Sequence, residues 1–474
     1  MSASALTEES EAARLLAGPA LALAAAVRTG HVSARAVTEA ALARIAAVDP
    51  VLTAFTDVTA ERARTEADAI DARRAAGEAL GPLAGVPFAV KNLFDLKGLP
   101  TRAGSKINRD RPPATRDAAL VERLSVAGAV CLGGLNMGEY AYDFTGENAH
   151  DGNSRNPHDP NHMSGGSSGG SGAAVGGKLV PISLGSDTNG SIRVPSSFSG
   201  IFGLKPTYGR LSRARSFPFV ASLDHLGPFA RHVGDLAATY DALLGPDADD
   251  PALADKPAEP ALPGLENPGG LRVAVLGGWF SRQGTPQAYA AVARAAAALE
   301  ATKTVELPEV ARARAAAYII SMAEGAALHL DRLRERGGDF DPAVRERLLA
   351  GAVLPGAWIQ RAQNFRRWFH QRAMALFAEW DVLIAPATPV PAPMSGQATF
   401  VLDGREMLVR PNIGIYTQPI SFIGLPVAAA PIDTDERLPI AVQLIAAPWR
   451  EDAALKAARV LERAGVAVAP EPVV

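Results

Sequence analysis

The sequence predicts an α/β fold, one large mixed sheet covered by helices on both faces, and three observations carry that expectation. Helical segments with one apolar face alternate with short, almost wholly apolar runs, the order that places helices over a sheet. Those runs read as buried strands. The chain, 474 residues and 48% hydrophobic, is long enough to bury a large core. Taken in order, Ser33 can cap a helix whose Val37, Ala41 and Ile45 recur on one face. A charged helix follows over 59–76, and residues 86–94 form the first buried strand. The helix over 117–127 stops at Gly128 and feeds a strand over 129–133, repeating the alternation. Residues 179–184 read as another strand. The stretch 246–270, rich in Pro, Ala and acidic residues, reads as a surface connector. Strand character resumes over 271–278, residues 311–377 are mostly helical, and 382–386 and 441–446 return to strand. These later strands are expected to complete the same sheet, so that 1–474 is a single domain: a helical part over about 1–76, a core over about 81–245, then the connector.

Composition excludes several classes. A formal charge of −3 offers no basic footprint for nucleic acid. The apolar stretch 20–27 is too short to span a bilayer. Glu8, Glu9 and Glu11 precede any apolar run, so a secretory signal of the usual form is not expected. One cysteine, Cys131, excludes an internal disulfide and fits a reducing, cytoplasmic compartment; its apolar neighbours make it a packed thiol. Neither a His-Glu-x-x-His helix nor paired cysteines occur, so no metal is expected.

Chemistry concentrates in three places: Lys91, the segment Ser164-Gly165-Gly166-Ser167-Ser168-Gly169-Gly170, and the segment Gly185-Ser186-Asp187-Thr188-Asn189-Gly190-Ser191-Ile192-Arg193. A serine hydroxyl is a poor nucleophile until a base takes its proton. Lys91 can be that base only when neutral, and burial in its apolar run lowers a lysine pKa from about 10.4 by several units. The simpler reading is a lysine that packs its stem on apolar surface and sends its head to water. The Gly-Ser tract also has simpler readings, beginning with a flexible linker. A phosphate loop is suggested by Gly172 to Gly177-Lys178, but Leu179 stands where Ser or Thr would hold magnesium. Gly166-Ser167-Ser168-Gly169-Gly170 satisfies Gly-x-Ser-x-Gly, which would make Ser168 a Ser-His-Asp nucleophile. That reading needs a histidine, and His150, His158, His162 and His225 are more simply loop or pocket-wall residues.

The two serine segments, 24 residues apart from Ser167 to Ser191, resemble the central signature of the amidase signature family. Lys91 stands in the matching Gly-Val-Pro-Phe-Ala-Val-Lys-Asn context, and the likeness continues through Gly200 to Arg210. The resemblance implies the amidase signature fold and an amidohydrolase that releases ammonia through a Ser-cisSer-Lys triad, with no cofactor. Ser191 would attack the amide carbonyl, Ser167, after a cis peptide bond, would relay the proton, and Lys91 would receive it. The N–H groups of Thr188, Asn189, Gly190 and Ser191 would form the oxyanion hole, and losing one such donor typically costs about 3 kcal/mol of barrier. Asp187 and Arg193 would support the turn from behind. The commonest family pattern has Gly at position 189, so Asn189 alters the loop or the pocket wall but keeps the backbone donor.

Three further segments, 136–148, 216–228 and 443–451, look most like the family branch that hydrolyses 1-carboxybiuret in cyanuric acid degradation. Such a substrate is small, polar and anionic, so the pocket should hold a cation and groups that read amides. Tyr140, Asn148, Arg193, Tyr416 and Gln418 are the residues expected to bind it. Two alternatives remain open: the amidase-type subunit of a tRNA-dependent amidotransferase, disfavoured by residues 247–252, and a broad-specificity aliphatic or aryl amidase. The resemblance also implies a small helical partner subunit, in a heterotetramer, or else a homodimer, with neither nucleic acid nor membrane as partner.

Overall fold

The computed structural model of the protein describes residues 3–474, so the first two residues of the expected N-terminal part lie outside the described residues. Among the described residues, eleven strands join in one sheet. Its order is Phe55–Val58, Val130–Leu135, Pro87–Lys91, Ile182–Asp187, His225–Ala230, Phe202–Lys205, Val427–Ile432, Ile440–Ala446, Val382–Pro386, Val273–Leu276 and Thr304–Val305. The sheet is mixed: Pro87–Lys91 runs parallel to both its neighbours, whereas Ile182–Asp187 and His225–Ala230 are antiparallel. Every residue of Pro87–Lys91, Ile182–Asp187, His225–Ala230 and Ile440–Ala446 is buried. Successive strand residues point to opposite faces, so complete burial means that both faces are covered.

The expected helices form. Ser33 accepts from Ala36 N at 3.1 Å and caps Ala34–Leu52, which buries Val37, Ala41 and Ile45. The charged helix is Ala60–Ala75, and Ala119–Val126 leads into Val130–Leu135. The helical stretch divides into Val310–Arg336, Pro342–Ala352 and Gly356–Phe377, and the first packs on each of the others. Residues 246–270 carry only a single 3-10 turn, Leu262–Leu265. Cys131 is buried, and burial pushes its thiol up to about 12.

Strand boundaries differ from expectation: the run 86–94 is a strand only over Pro87–Lys91, and the strand expected over 129–133 is Val130–Leu135. The strand expected over 179–184 is Ile182–Asp187, because Leu179 N closes the turn after helix Gly169–Gly176 by donating to Ala174 O. The strand then runs on through Gly185, Ser186 and Asp187, whose backbone is paired with Gly227, Leu226 and His225. The strand over 271–278 is only Val273–Leu276, bounded by Gly277 and Gly278. Strands His225–Ala230, Phe202–Lys205 and Val427–Ile432 contain glycine, alanine and proline in place of β-branched runs, and their neighbours in the sheet decide them.

Candidate active site

Strands Pro87–Lys91 and Ile182–Asp187 are parallel, so their C-terminal residues meet at one edge of the sheet. Lys91 ends the first strand, fully buried. Its Nζ lies 2.6 Å from Ser167 Oγ, 2.9 Å from Ser186 Oγ and 3.0 Å from Ser168 Oγ. Burial lowers its pKa to about 7, against the opposing pull of Asp224, Asp187 and Asp143. Near neutrality a large share of the side chain is therefore an uncharged amine, which has two N–H donors and one lone pair. Ser168 Oγ gives its own proton to Ser186 O at 3.1 Å, so it can only accept from Lys91. The lone pair is left for Ser167 or Ser186. This packing needs a glycine at 185, where a Cβ would lie 2.7 Å from Ser168 Oγ. Ser167 and Ser168 are placed by the turn into helix Gly169–Gly176, and the Gly166–Ser167 peptide bond is cis.

Ser191 sits on the turn between strand Ile182–Asp187 and helix Arg193–Phe198. Asp187 accepts from Ile192 N at 3.1 Å and pairs with Arg193 at 2.9 Å, with both side chains fully buried. Burial alone would raise the Asp187 pKa, but the guanidinium beside it holds the carboxyl well below the usual range. Thr188 Oγ1 donates to Asp224 Oδ1 at 2.6 Å, and Thr417 Oγ1 donates to Asn189 O at 2.8 Å, so the turn is tied from two sides. Gly190 has φ +147°, and a Cβ there would lie 2.2 Å from Thr417 Oγ1. Among the described residues, the N–H groups of Thr188, Asn189, Gly190 and Ser191 donate to no protein acceptor, and Ser191 Oγ is not hydrogen-bonded to Ser167 Oγ.

The turn opens onto a cavity of about 480 Å³ bordered by Thr188, Asn189 and Ser191. Its far walls come from residues 141–145, Glu147, Phe219, Tyr318, Arg347, 396–398, Arg410 and Gln418. Arg410 pairs with Asp143 and Glu147. Of the five side chains expected to bind substrate, Gln418 borders this cavity and the other four are corrected by their surroundings. Tyr140 donates to Asn108 Oδ1 and stacks in an aromatic cluster with His329 and Phe217. Asn148 Nδ2 closes loops by donating to Gly104 O and Met137 O. Arg193 spends its donors on Asp187, Thr417 O, Gln443 and Ser421. Tyr416 donates to Arg282 O. None of the four borders the cavity, and protein groups take the polar hydrogens of each side chain. Tyr142 and Arg347 escaped notice in the sequence because neither belongs to a motif, although Tyr142 lies in the 136–148 segment.

The alternative readings of the serine segment lose their geometry. His150 meets Glu139, while His158, His162 and His225 meet backbone carbonyls, so none reaches Ser168. Burial lowers the pKa of His158 and His225. Gly172 to Gly177 lies within and at the end of a buried helix, and Lys178 pairs with Glu471, which disposes of a phosphate loop.

The family model described as Amidase matches residues 36–455. The AtzE chain of 1-carboxybiuret hydrolase from Pseudomonas sp. (strain ADP) is 55% identical over 444 residues, 93% of this chain and 97% of that protein. A glutamyl-tRNA(Gln) amidotransferase component from Azotobacter vinelandii (strain DJ / ATCC BAA-1303) is 37% identical over 457 residues, 90% of this chain and 93% of that one. Among solved structures, one described as an unexpected vestigial protein complex that reveals the evolutionary origins of an s-triazine catabolic enzyme superposes with a TM-score of 0.94. It is 53% identical and covers 96% of this chain and 100% of its own.

Proposed function

The chain belongs to the amidase signature family and is a hydrolase of carbon–nitrogen bonds, and from that premise we propose that Ser191, Ser167 and Lys91 are its catalytic triad and 1-carboxybiuret its substrate. The observation that carries the triad is the contact of 2.6 Å between the buried Lys91 Nζ and Ser167 Oγ, beside a turn that presents Ser191 to the cavity. Ser191 Oγ attacks the amide carbonyl while its proton passes to Ser167 Oγ, and the proton of Ser167 passes to Lys91 Nζ. Relay hydrogen bonds of this kind tighten when substrate fills the site. The tetrahedral oxyanion is held by the free N–H groups of residues 188–191. Collapse breaks the C–N bond as the relay returns a proton to the leaving nitrogen, which departs as ammonia. Water, activated by the same relay, then cleaves the Ser191 ester. Asp187 and Arg193 hold the turn without touching substrate.

Support for carboxybiuret comes from the relative that is 55% identical over nearly the whole chain and from a cavity walled by arginine and amide side chains. The same likeness supports a partner subunit, since the solved relative stands in a complex. A reducing, cytoplasmic compartment is supported by Cys131, a lone thiol buried in the sheet. Among the described residues, no helix is long and apolar enough to cross a membrane. Because one sheet links strands from residue 55 to residue 446, we also read the chain as a single domain.

Carboxybiuret is unstable, so the test couples fresh enzymatic ring opening of cyanuric acid to ammonia detection, with the chain alone and with co-expressed partner. Ammonia release well above spontaneous decay is the expected result. Brisk hydrolysis of glutamine or an aryl amide, with nothing beyond decay on carboxybiuret, transfers the assignment to an amidotransferase component or a broad amidase.

A further inference from the structure

Among the described residues, three buried polar atoms on residues that border the cavity have no hydrogen-bond partner: Asn189 Oδ1, Gln418 Nε2 and Tyr142 OH. Two of them are free ends of amides whose orientation is dictated by what holds the other end. Asn189 donates Nδ2 to Ser321 Oγ at 2.9 Å. Ser321 sends its own proton to Ala317 O at 2.8 Å, so its oxygen can only accept from Asn189. Gln418 Oε1 accepts from Arg314 Nε at 2.8 Å, and a guanidinium cannot accept. Arg314 is itself held by Pro411 O and Asn412 Oδ1. Each amide therefore has one free atom of fixed character, an acceptor on Asn189 and a donor on Gln418.

Arg347 supplies the charge. Its Nε and Nη2 are taken by Ala343 O and Tyr142 O, and its guanidinium carbon lies 3.8 Å from the centre of the Tyr142 ring. Among the described residues, no carboxylate pairs with it, whereas Arg410 is neutralised by Asp143 and Glu147. Nη1 remains open for an anion.

We propose that Asn189 Oδ1 and Gln418 Nε2 read the N–H and C=O of a ureido group, and that Arg347 Nη1 receives the carboxylate at the end of the same molecule. The inference deepens the carboxybiuret reading and rests on it for the identity of the site. A ureido edge offers a donor and an acceptor together, and a ligand with a methylene in place of the nitrogen leaves Asn189 Oδ1 buried and unpaired. Sites built on such hydrogen bonds discriminate strongly against the analogue that lacks them.

The test uses two stable probes that differ in one group, N-carbamoylglycine and succinamate, which has CH2 in place of the ureido N–H. Their binding to the full chain carrying Ser191→Ala is measured by calorimetry, so that no turnover intervenes. N-carbamoylglycine should bind more tightly, by roughly 10-fold or more. Adding Asn189→Ala should erase that ratio. Gln418→Glu keeps an acceptor for Arg314 but turns the free donor into an acceptor, and should weaken both probes by at least roughly 10-fold. Arg347→Gln should weaken both probes while leaving neutral biuret almost unaffected. Thermal melting of each variant reports whether it is folded. An unchanged ratio in Asn189→Ala, unchanged affinities in Gln418→Glu, or no binding of either probe to the Ser191→Ala chain overturns the proposal. Carboxybiuret turnover by the parent chain is scored separately: turnover with an unchanged binding pattern sinks only this inference, and the expected pattern without turnover sinks only the substrate.

Discussion

At the scale of single residues, the proposed chemistry depends on keeping one lysine uncharged. Lys91 is buried, surrounded by three serine hydroxyls, and lowered to about 7, so its amine is half protonated near neutrality. Protonated Lys91 cannot accept the relayed proton. kcat/KM should accordingly rise with pH through about 7 and level off above it, and a flat profile from about pH 5.5 to about 8.5 would contradict this role. Lys91→Ala should lower kcat/KM by at least roughly 100-fold, the usual span of general-base catalysis, and Lys91→Arg, permanently charged, should not restore it. Ser191→Ala removes one oxygen from a side chain that makes no hydrogen bond to the described protein. It should abolish ammonia release with an unchanged melting temperature, and residual turnover near the parent rate would exclude the acyl-enzyme.

Individual elements transmit their constraints through single side chains. Asp187, Asp224 and Thr417 hold the turn 187–193 at side-chain, carbonyl and Ile192 N–H positions, and among the described residues four of its N–H groups have no acceptor. Gly190→Val would set a Cβ against Thr417 and displace the turn. Its kcat should fall by about 100-fold or more, in line with the loss of an oxyanion donor, while steady-state KM changes less. A second element, helix Ala20–Thr29, has Pro19 at its start and no side-chain cap of its own. Asp235, on helix Val233–Leu243, supplies the cap from outside by accepting from Ala20 N and Leu21 N at 2.8 and 2.9 Å. Asp235→Ala leaves two helix N–H groups unpaired and should cost about 1–3 kcal/mol in urea unfolding, with little effect on kcat. Sequence reading finds the local cap at Ser33, three residues from the N–H that donates to it, but not one supplied from more than two hundred residues away.

For the molecule as a whole, the buried charges set how stability responds to pH. Lys205 is fully buried near Asp187 and Arg193, and burial, assisted by Arg193, lowers it to about 7 as burial does Lys91. Unfolded, both titrate near about 10.4, so the unfolded chain holds more protons between these values. Stability should therefore rise as pH climbs from about 7 towards 10, with each lysine contributing a slope of at most about 1.4 kcal/mol per pH unit. Lys205→Met replaces an amine whose hydrogen bond is to Pro206 O with an apolar chain of similar length. It should raise stability below pH 7 and flatten the pH dependence above it. Melting curves of parent and variant that rise in parallel from pH 7 to 10 would show that Lys205 does not titrate there.

What the sequence determined by itself was whatever is written in contiguous residues. The two serine segments, Lys91 in its apolar strand, the helix capped by Ser33 and the alternation of helix and strand are all local patterns, and each is present where it was expected. Where strands begin and end was less legible, because Gly185, Ser186 and Asp187 join a strand only through partners at 225–227. The candidate substrate pocket was the least legible part. Tyr140, Asn148, Arg193 and Tyr416 have the chemistry to bind a ureido acid, yet folding spends their polar atoms on backbone and neighbouring side chains. Asn189, Gln418, Tyr142 and Arg347 come from four separated segments, and tertiary structure brings them to one cavity with polar atoms to spare. Whether a buried polar group serves the fold or a ligand depends on which partners remain after packing, and those partners lie across the molecule, where no local pattern records them.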